Sequence, residues 1–475
     1  MTSLHFQTLD NSATTVGVEA IESLAAALRG ELITADSPEY DDVRAVWNGM
    51  IDRRPTAIAR CMGAADVMRA VRFAREHGVL TSVRGAGHNI AGTSIADDSL
   101  MIDLSLMRWV GVDVSRGTAT VGPGATLGDV DAETAAFGLA LPVGINSTTG
   151  LSGLALGGGF GWLTRQYGMT IDCLSSADVV TADGELVRAS ADSNADLFWA
   201  IRGGGGNFGI VTAFEFDLKP VGPEVFAGLV VYSLDEGEAI MRRYRAACAN
   251  APEELSVWAV LRKAPPLPFL PAEVHGAEVL VLAMVHTGEA GKAAADADVF
   301  AKLGEPVGQH LGRMPFVQFQ QAFDPLLTPG ARNYWKSHDF SDLSDGLIDS
   351  LAASARKLPS DECELFVAQL GGAMARVPVE ATAYAGRDAD FVCNVHARWQ
   401  DAADDQACID WARGTFDAAT PYAMGTAYVN FMTGDEQTRV ADAYGTNYTR
   451  LLEIKAAYDP DNFFRGNQNL RSQAA

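Results

Sequence analysis

The stretch Val83-Arg84-Gly85-Ala86-Gly87-His88-Asn89-Ile90-Ala91-Gly92 decides how this chain is read. An apolar run (Val79, Leu80, Val83) enters it, small residues fill it, and one imidazole stands in its middle. Glycine lets a backbone take positive φ and bring its N–H groups close to a bound group. A loop of that kind is an anion-binding nest that needs no lysine. By itself the stretch reads equally as a surface turn. Further glycine-dense stretches follow within about one domain's length, and together they favour a binding loop.

Outward from the loop, residues 57–61 and 79–83 are short strands flanking 64–77, where Val67, Ala70, Val71, Phe73 and Ala74 have helical spacing. That is a βαβ unit with the loop at the end of its second strand, where ligands of such units gather. An earlier helix lies within 15–30 (Ile21, Leu24, Leu28). Alternation predicts strands over 100–104, 109–113 and 118–122. A helix over 125–137 is closed by Gly138. The densest glycines come next: Gly144, Gly150, Gly153, Gly157, Gly158, Gly159, Gly161 and Gly168. A hairpin (179–181 and 186–188, turning at Asp183-Gly184), a helix over 195–201, a glycine loop and a strand over 210–216 close this half.

Lys219-Pro220-Val221-Gly222-Pro223 reads as a boundary. Beyond it, strands over 225–232, 256–261, 277–286 and 364–370 alternate with helices over 235–249, 289–302 and 344–357. An antiparallel sheet covered by helices is expected there. Phe316, Phe319, Phe323, Tyr334, Trp335 and Trp399 read as core or as pocket wall. The fold class is α+β, with domains at 1–218 and 219–425 and a returning tail at 426–475.

At 475 residues, 48% apolar and 20% charged, the chain has ample core for two domains. Its net charge of −24 argues against a nucleic-acid partner, because such binding draws on phosphate neutralisation. One buried pyrophosphate held by backbone amides stays open. The six cysteines are scattered without a Cys-x-x-Cys pair, so reduced thiols are expected, with neither disulfides nor a metal site. No basic region followed by an apolar core opens the chain, and no apolar run is long enough to span a bilayer. A cytoplasmic protein without membrane contact is the expectation.

Gly204-Gly205-Gly206-Asn207-Phe208-Gly209 matches Gly-x-Gly-x-x-Gly, but that fingerprint follows a strand and opens a helix. Here a helix precedes it and Ile210-Val211-Thr212 follows as a strand, so the nicotinamide reading fails. Close backbone approach to some ligand stands.

Residues 84–89 (Arg84, Gly85, Ala86, Gly87, His88, Asn89), Leu156-Gly157-Gly158-Gly159-Phe160-Gly161-Trp162-Leu163 and 202–212 resemble the FAD-linked oxidases of the berberine bridge enzyme-like family. That family belongs to the vanillyl-alcohol oxidase (PCMH) superfamily. In the tail, Tyr428-Val429-Asn430 and Asp459-Pro460-x-Asn462-Phe463-Phe464-Arg465-x-Asn467-Gln468-Asn469 carry the same likeness, which runs from about Asp52 to Leu470. It implies a PCMH-type two-part FAD-binding domain, rejoined by the tail, beside a substrate domain. It further implies that residues 84–89 hold the FAD pyrophosphate and that His88 is bonded to the flavin 8α-methyl. Thr149, Gly150, Gly153, Gly157, Gly158, Gly159, Gly161, Gly209, Ile210, Val211, Asn430 and Asn467 are its other implied FAD contacts.

An imidazole is a competent nucleophile, and an 8α link should raise the flavin potential. Many relatives carry a second, cysteinyl link in the loop before Gly157. That position falls near Asn146, residues 144–150 hold no cysteine, and Cys173 is out of register, so a single bond is expected. Thr149 stands near the flavin C4a face, where the family often has valine or leucine.

For the chemical step the resemblance implies hydride transfer from substrate to flavin N5, with a base taking a proton. Tyr428 matches the family's catalytic tyrosine; packing of the tail is its other reading. Gln369, Asn394, His396 and Arg398 fall on strands of the substrate sheet, and 394, 396 and 398 share a face by period-two spacing. That face is either pocket or solvated surface, and His396 or Arg398 would balance negative charge on reduced flavin. Tyr334-Trp335-Lys336 resembles a pocket-wall segment. The expected reaction oxidises an alcohol, sugar hemiacetal or amine of a small molecule, with molecular oxygen giving peroxide. A dehydrogenase with another acceptor and a flavin-carrying binding protein are the alternatives.

Overall fold

The computed structural model describes residues 3–471. The outer ends of the first and last expected segments, residues 1–2 and 472–475, lie outside the described residues, as do the first two residues of the opening read for a signal peptide.

The first sheet orders its strands Glu31–Thr34, Ala57–Arg60, Leu100–Asp103, Thr81–Arg84. Helix Ala64–His77 forms as its spacing predicts and stops at Gly78, whose φ is 64°. The strands it joins do not pair with each other. Each runs parallel to Leu100–Asp103, which is inserted between them. Local spacing reveals a crossover helix but not a later strand that enters the gap. All four residues of the inserted strand are buried, and its last, Asp103, comes to lie beside Arg84.

A second, antiparallel sheet runs Leu186–Ser190, Leu174–Val180, Ile210–Asp217, Thr118–Val121, Val110–Asp113. Lys219–Pro220 pairs with Leu139–Ala140, so the expected boundary is still stitched to this half.

The third sheet is antiparallel and seven-stranded: Gly308–Pro315, Glu224–Ser233, Glu278–His286, Leu255–Lys263, Glu364–Gln369, Phe391–Trp399, Arg332–Phe340. Helices Gly237–Cys248, Ala290–Ala301, Asp345–Ala355 and Asp405–Ala419 cover one face, over Val257, Leu282, Val367 and Val395. The opposite face carries Trp258, Ala283, Ala368 and Val392 and buries them against Phe160, Trp162 and Tyr428. Each such burial contributes roughly 1.5–3 kcal/mol, so the two halves are held by a core that runs between them.

The tail returns to the first sheet. Phe463 and Phe464 enter the core of Phe6, Val67 and Ile102. Their N–H groups donate to the Asp459 carboxylate at 2.7 and 2.8 Å, and Lys455 pairs with Asp459 at 2.6 Å. Among the described residues no helix is long and apolar enough to cross a membrane.

Candidate active site

Loops from the first half, the tail and one face of the third sheet converge on a cavity of about 270 Å³. Of the residues expected to touch the cofactor, Gly85, Ala86, Gly87, His88, Asn89, Thr149, Gly150, Gly153, Gly209, Ile210, Val211, Asn430 and Asn467 line it. The catalytic candidates Tyr428 and His396 line it too.

Backbone makes the cofactor side. A Cβ on Gly85 would stand 2.4 Å from Ser152 Oγ, and one on Gly150 would stand 2.9 Å from the Ala86 Cβ. The Ala86 N stands 3.0 Å from the same Gly150 Cβ position, so the 85–87 loop and the start of helix Leu151–Leu156 lie too close for a side chain at either glycine. Arg84 is a correction, because its side chain turns away from the cavity. Its guanidinium grips both Asp103 carboxylate oxygens (3.0 and 2.8 Å) and donates to the Val43 and Ala45 carbonyls, pinning the loop's base to the preceding segment.

His88 is half-buried at the cavity wall, and its buried Nε2 lacks a partner. Its ring stacks on Trp47, with centroids 4.3 Å apart and planes at 22°. Trp47 is held by donating Nε1–H to the Leu327 carbonyl and its own N–H to the Gly87 carbonyl, both at 3.0 Å, and the Arg398 guanidinium lies over its ring at 5.4 Å. Burial, helped by the nearby charges of Arg398 and His396, pushes the His88 imidazole down to about 3. The ring is neutral at physiological pH.

The wall fits a large polar ring system such as FAD. Five buried polar atoms on it have no partner: His88 Nε2, Ser94 Oγ, Asn146 Nδ2, Trp258 Nε1 and Trp335 Nε1. Each unmet group costs about 1–3 kcal/mol, which a ligand's acceptors and donors would relieve. A Cβ on Gly153 would meet nothing within 4 Å, so a side chain there would occupy the cavity itself. None of the six cysteines, all buried free thiols, lines it.

Gly157, Gly158, Gly159 and Gly161 are a second correction: none lines the cavity. Gly157, Gly158 and Gly159 admit the tail, while Gly161 makes room for the Val143 carbonyl. A Cβ on Gly157 would collide with the Asn430 amide at 2.3 Å, and the Gly159 N–H donates to Tyr428 Oη at 3.0 Å. Asn430 Nδ2–H donates to the same oxygen at 2.9 Å and to the Leu154 carbonyl at 3.1 Å. Both lone pairs of the phenol are thus engaged, which leaves its own hydrogen free to donate. Burial pushes the Tyr428 phenol up to about 12, against the pull of those two donors.

On the sheet, His396 Nδ1 faces Glu364 Oε1 at 3.1 Å and its Nε2 faces Asn333 Oδ1 at 3.3 Å. Burial opposes ionisation of Glu364, but Arg262, hydrogen-bonded at 2.7 Å, and His396 outweigh it and hold the carboxyl at about 2. Gln369 is a third correction. On its strand Leu365 and Val367 face the covering helices, and Gln369, at the same parity, donates Nε2–H to the Cys248 carbonyl on that side. Glu364 and Phe366, at the other parity, line the cavity. Asn394 and Arg398 stay off the cavity wall, and Arg398 binds Glu362 and the Thr328 carbonyl, both at 2.7 Å. Of Tyr334-Trp335-Lys336 only Trp335 reaches the wall.

Sequence reasoning missed Trp47, Trp258, Glu364 and Phe366. Each lies outside a glycine motif, and the period-two parity that picks out His396 would have picked Glu364 had the strand pairing been known.

Residues 55–190 match the profile described as FAD binding domain, and residues 427–471 that described as berberine and berberine like. An FAD-linked oxidoreductase of Dictyostelium discoideum is 30% identical over 460 residues, covering 95% of this chain and 97% of that protein. The (R)-6-hydroxynicotine oxidase of Paenarthrobacter nicotinovorans is 29% identical over 461 residues, covering 94% and 97%. The crystal structure of 6-hydroxy-D-nicotine oxidase from Arthrobacter nicotinovorans aligns at a TM-score of 0.84 and 28% identity over 94% of this chain and 98% of that one. With the cofactor cradle, the returning tail and these likenesses along nearly its whole length, the chain belongs to the berberine bridge enzyme-like family of FAD-linked oxidoreductases and is an FAD-binding enzyme.

Proposed function

We propose that FAD is bound covalently through His88 alone. The enzyme then oxidises the carbon bearing an alcohol, sugar hemiacetal or amine group of a small molecule, with molecular oxygen as electron acceptor. The observation that carries this reading is His88 itself: a neutral, stacked imidazole on the cavity wall has a buried Nε2 without a partner, and no cysteine stands on that wall for a second link. A relative named for oxidising a hydroxynicotine supports the amine among the three groups.

Bound FAD supplies the two-electron acceptor; the chain supplies position and proton handling. Tyr428 Oη, with Gly159 and Asn430 donating to it, turns its hydrogen to the substrate oxygen or nitrogen. Once ionised, the same oxygen accepts the substrate proton, and the two N–H donors balance its charge. His396 and Glu364 form the polar edge of the sheet wall, while Trp258, Trp335, Phe366 and Phe431 keep water from the reacting carbon.

Gel fluorescence of the acid-precipitated, denatured chain tests the link, and flavin that washes off overturns it. Anaerobic bleaching with alcohols, sugars and amines identifies the oxidised group. Stopped-flow mixing of the reduced enzyme with air tests the acceptor, and slow reoxidation assigns the electrons elsewhere.

A further inference from the structure

A second cavity of about 70 Å³ lies against the sheet wall of the first. Ile145, Trp258, Leu327, Glu364 and Phe366 line both, so the second begins where the first ends. Its floor is aliphatic, built from Val231, Val260, Val279 and Val281 on three neighbouring strands. Leu267, Leu270, Phe323 and Leu326 line the rest of it.

Its polar side chains are few. Arg262 and Glu364 are bound to each other at 2.7 Å, and the indole N–H groups of Trp162 and Trp258 have no partner. A hydroxyl-rich ligand would leave most of its groups unmatched there, at the cost of their desolvation. Interiors are otherwise close-packed, and an apolar void of this kind stays dry and takes apolar ligands.

We infer that the substrate carries an apolar tail, aryl or alkyl with at most one or two hydrogen-bond acceptors, and that this second cavity is the tail's subsite. The inference rests on the reading of the first cavity as the oxidation site. The reacting carbon stands before Tyr428, and the tail runs over Trp258 and Phe366, whose stacked rings, with centroids 5.8 Å apart, line both cavities.

The test uses the flavin-loaded enzyme and matched probes: ethanol to hexanol, ethylamine to hexylamine, 4-phenylbutylamine, and xylo-oligosaccharides as the polar series. Calorimetry reads affinity, and anaerobic bleaching reads turnover. Affinity is expected to rise at least about tenfold from ethyl to hexyl, since each buried methylene adds severalfold. Val281→Phe, and independently Val260→Phe, are expected to erase that rise while leaving the ethyl compounds and the flavin spectrum unchanged. No dependence on tail length, a rise that survives both substitutions, or preferential bleaching by xylo-oligosaccharides overturns the subsite. Tail-dependent binding without bleaching by any alcohol or amine upholds the subsite and overturns the oxidation reading instead.

Discussion

The cofactor wall and the substrate wall of one cavity are built by opposite means. The first is main chain: the 85–87 loop, Gly150, Gly153 and Gly209 bring peptide groups to the surface, with no room for a side chain at Gly85, Gly150 or Gly209 and only the cavity itself at Gly153. The second is side chain: Trp258, Trp335, Glu364, Phe366 and His396 project from four strands of one sheet. A wall of backbone presents the same N–H groups whatever surrounds it, so it suits a constant ligand. A wall of side chains on a rigid sheet changes its chemistry one residue at a time without moving its neighbours. His88 and Tyr428 stand at the seam, each an exception on its own side.

The largest expected effect breaks the cofactor wall at its proposed covalent anchor. His88→Ala is expected to lose all covalent flavin, read as absent fluorescence on a denaturing gel, because no cysteine offers a second attachment. Half-retention would mean another tether.

Next in size is the seam. Tyr428→Phe should slow flavin reduction by about 10²–10⁴-fold, the usual worth of a positioned acid or base, with flavin content unchanged. The sign of the pH dependence follows from the raised phenol. Below about 12 the group is protonated, and its ionised fraction rises tenfold for each pH unit. Wild-type reduction should therefore climb from neutral to alkaline pH, and the Phe variant should lose that slope. A flat wild-type profile would remove Tyr428 as the base.

A pair of glycine substitutions sharpens the contrast between cradle and support. Gly159→Ala puts a Cβ 2.2 Å from Thr170 Oγ1 at a φ of 78°, and should cost about 1–3 kcal/mol of stability in the flavin-free chain. Gly153→Ala lies within a helix and meets no protein atom within 4 Å, so it should stabilise that chain by about 0.5–1 kcal/mol. It should nevertheless lower flavin uptake, because the methyl enters the cavity. Melting of the flavin-free protein and the flavin-to-protein absorbance ratio separate the two.

The smallest effect concerns the ring beneath the anchor. Trp47→Ala should lower the covalently attached fraction by a few-fold, and Trp47→Phe should restore it, since a flat face rather than the indole N–H holds the imidazole. Equal loss in both variants would assign the role to the Trp47–Leu327 hydrogen bond instead.

Much of the fold could be read along the chain. Helix Ala64–His77 with its Gly78 cap, the Asp183-Gly184 hairpin and three of the four helices over the third sheet, all but Asp405–Ala419, follow from periodicity and turn chemistry, which act between near neighbours. The glycine loops around His88 could be read for the same reason, and so could the tail motif that carries Tyr428 and Asn430.

What depended on distant pairing could not. Leu100–Asp103 slips between two strands that are adjacent in sequence order, and this turned Arg84 from a phosphate ligand into the partner of Asp103. The 157–161 glycines look like a cofactor cradle, yet Gly157, Gly158 and Gly159 seat a segment some 270 residues away, as the Gly159–Tyr428 separation of 269 shows. Gln369 and Glu364 stand on one strand, and only the sheet's packing decided which face was covered by helices and which met the cavity.

Sequence alone therefore determined the local elements, the glycine loops and the two residues, His88 and Tyr428, to which the proposed chemistry is assigned. Tertiary structure alone decided which glycines face the ligand, which strand parity forms the substrate wall, and that Trp47 lies under His88. The division is physical. Propensity, periodicity and capping are energies between residues a few positions apart, whereas the two walls exist only after chain-distant surfaces have been buried against each other.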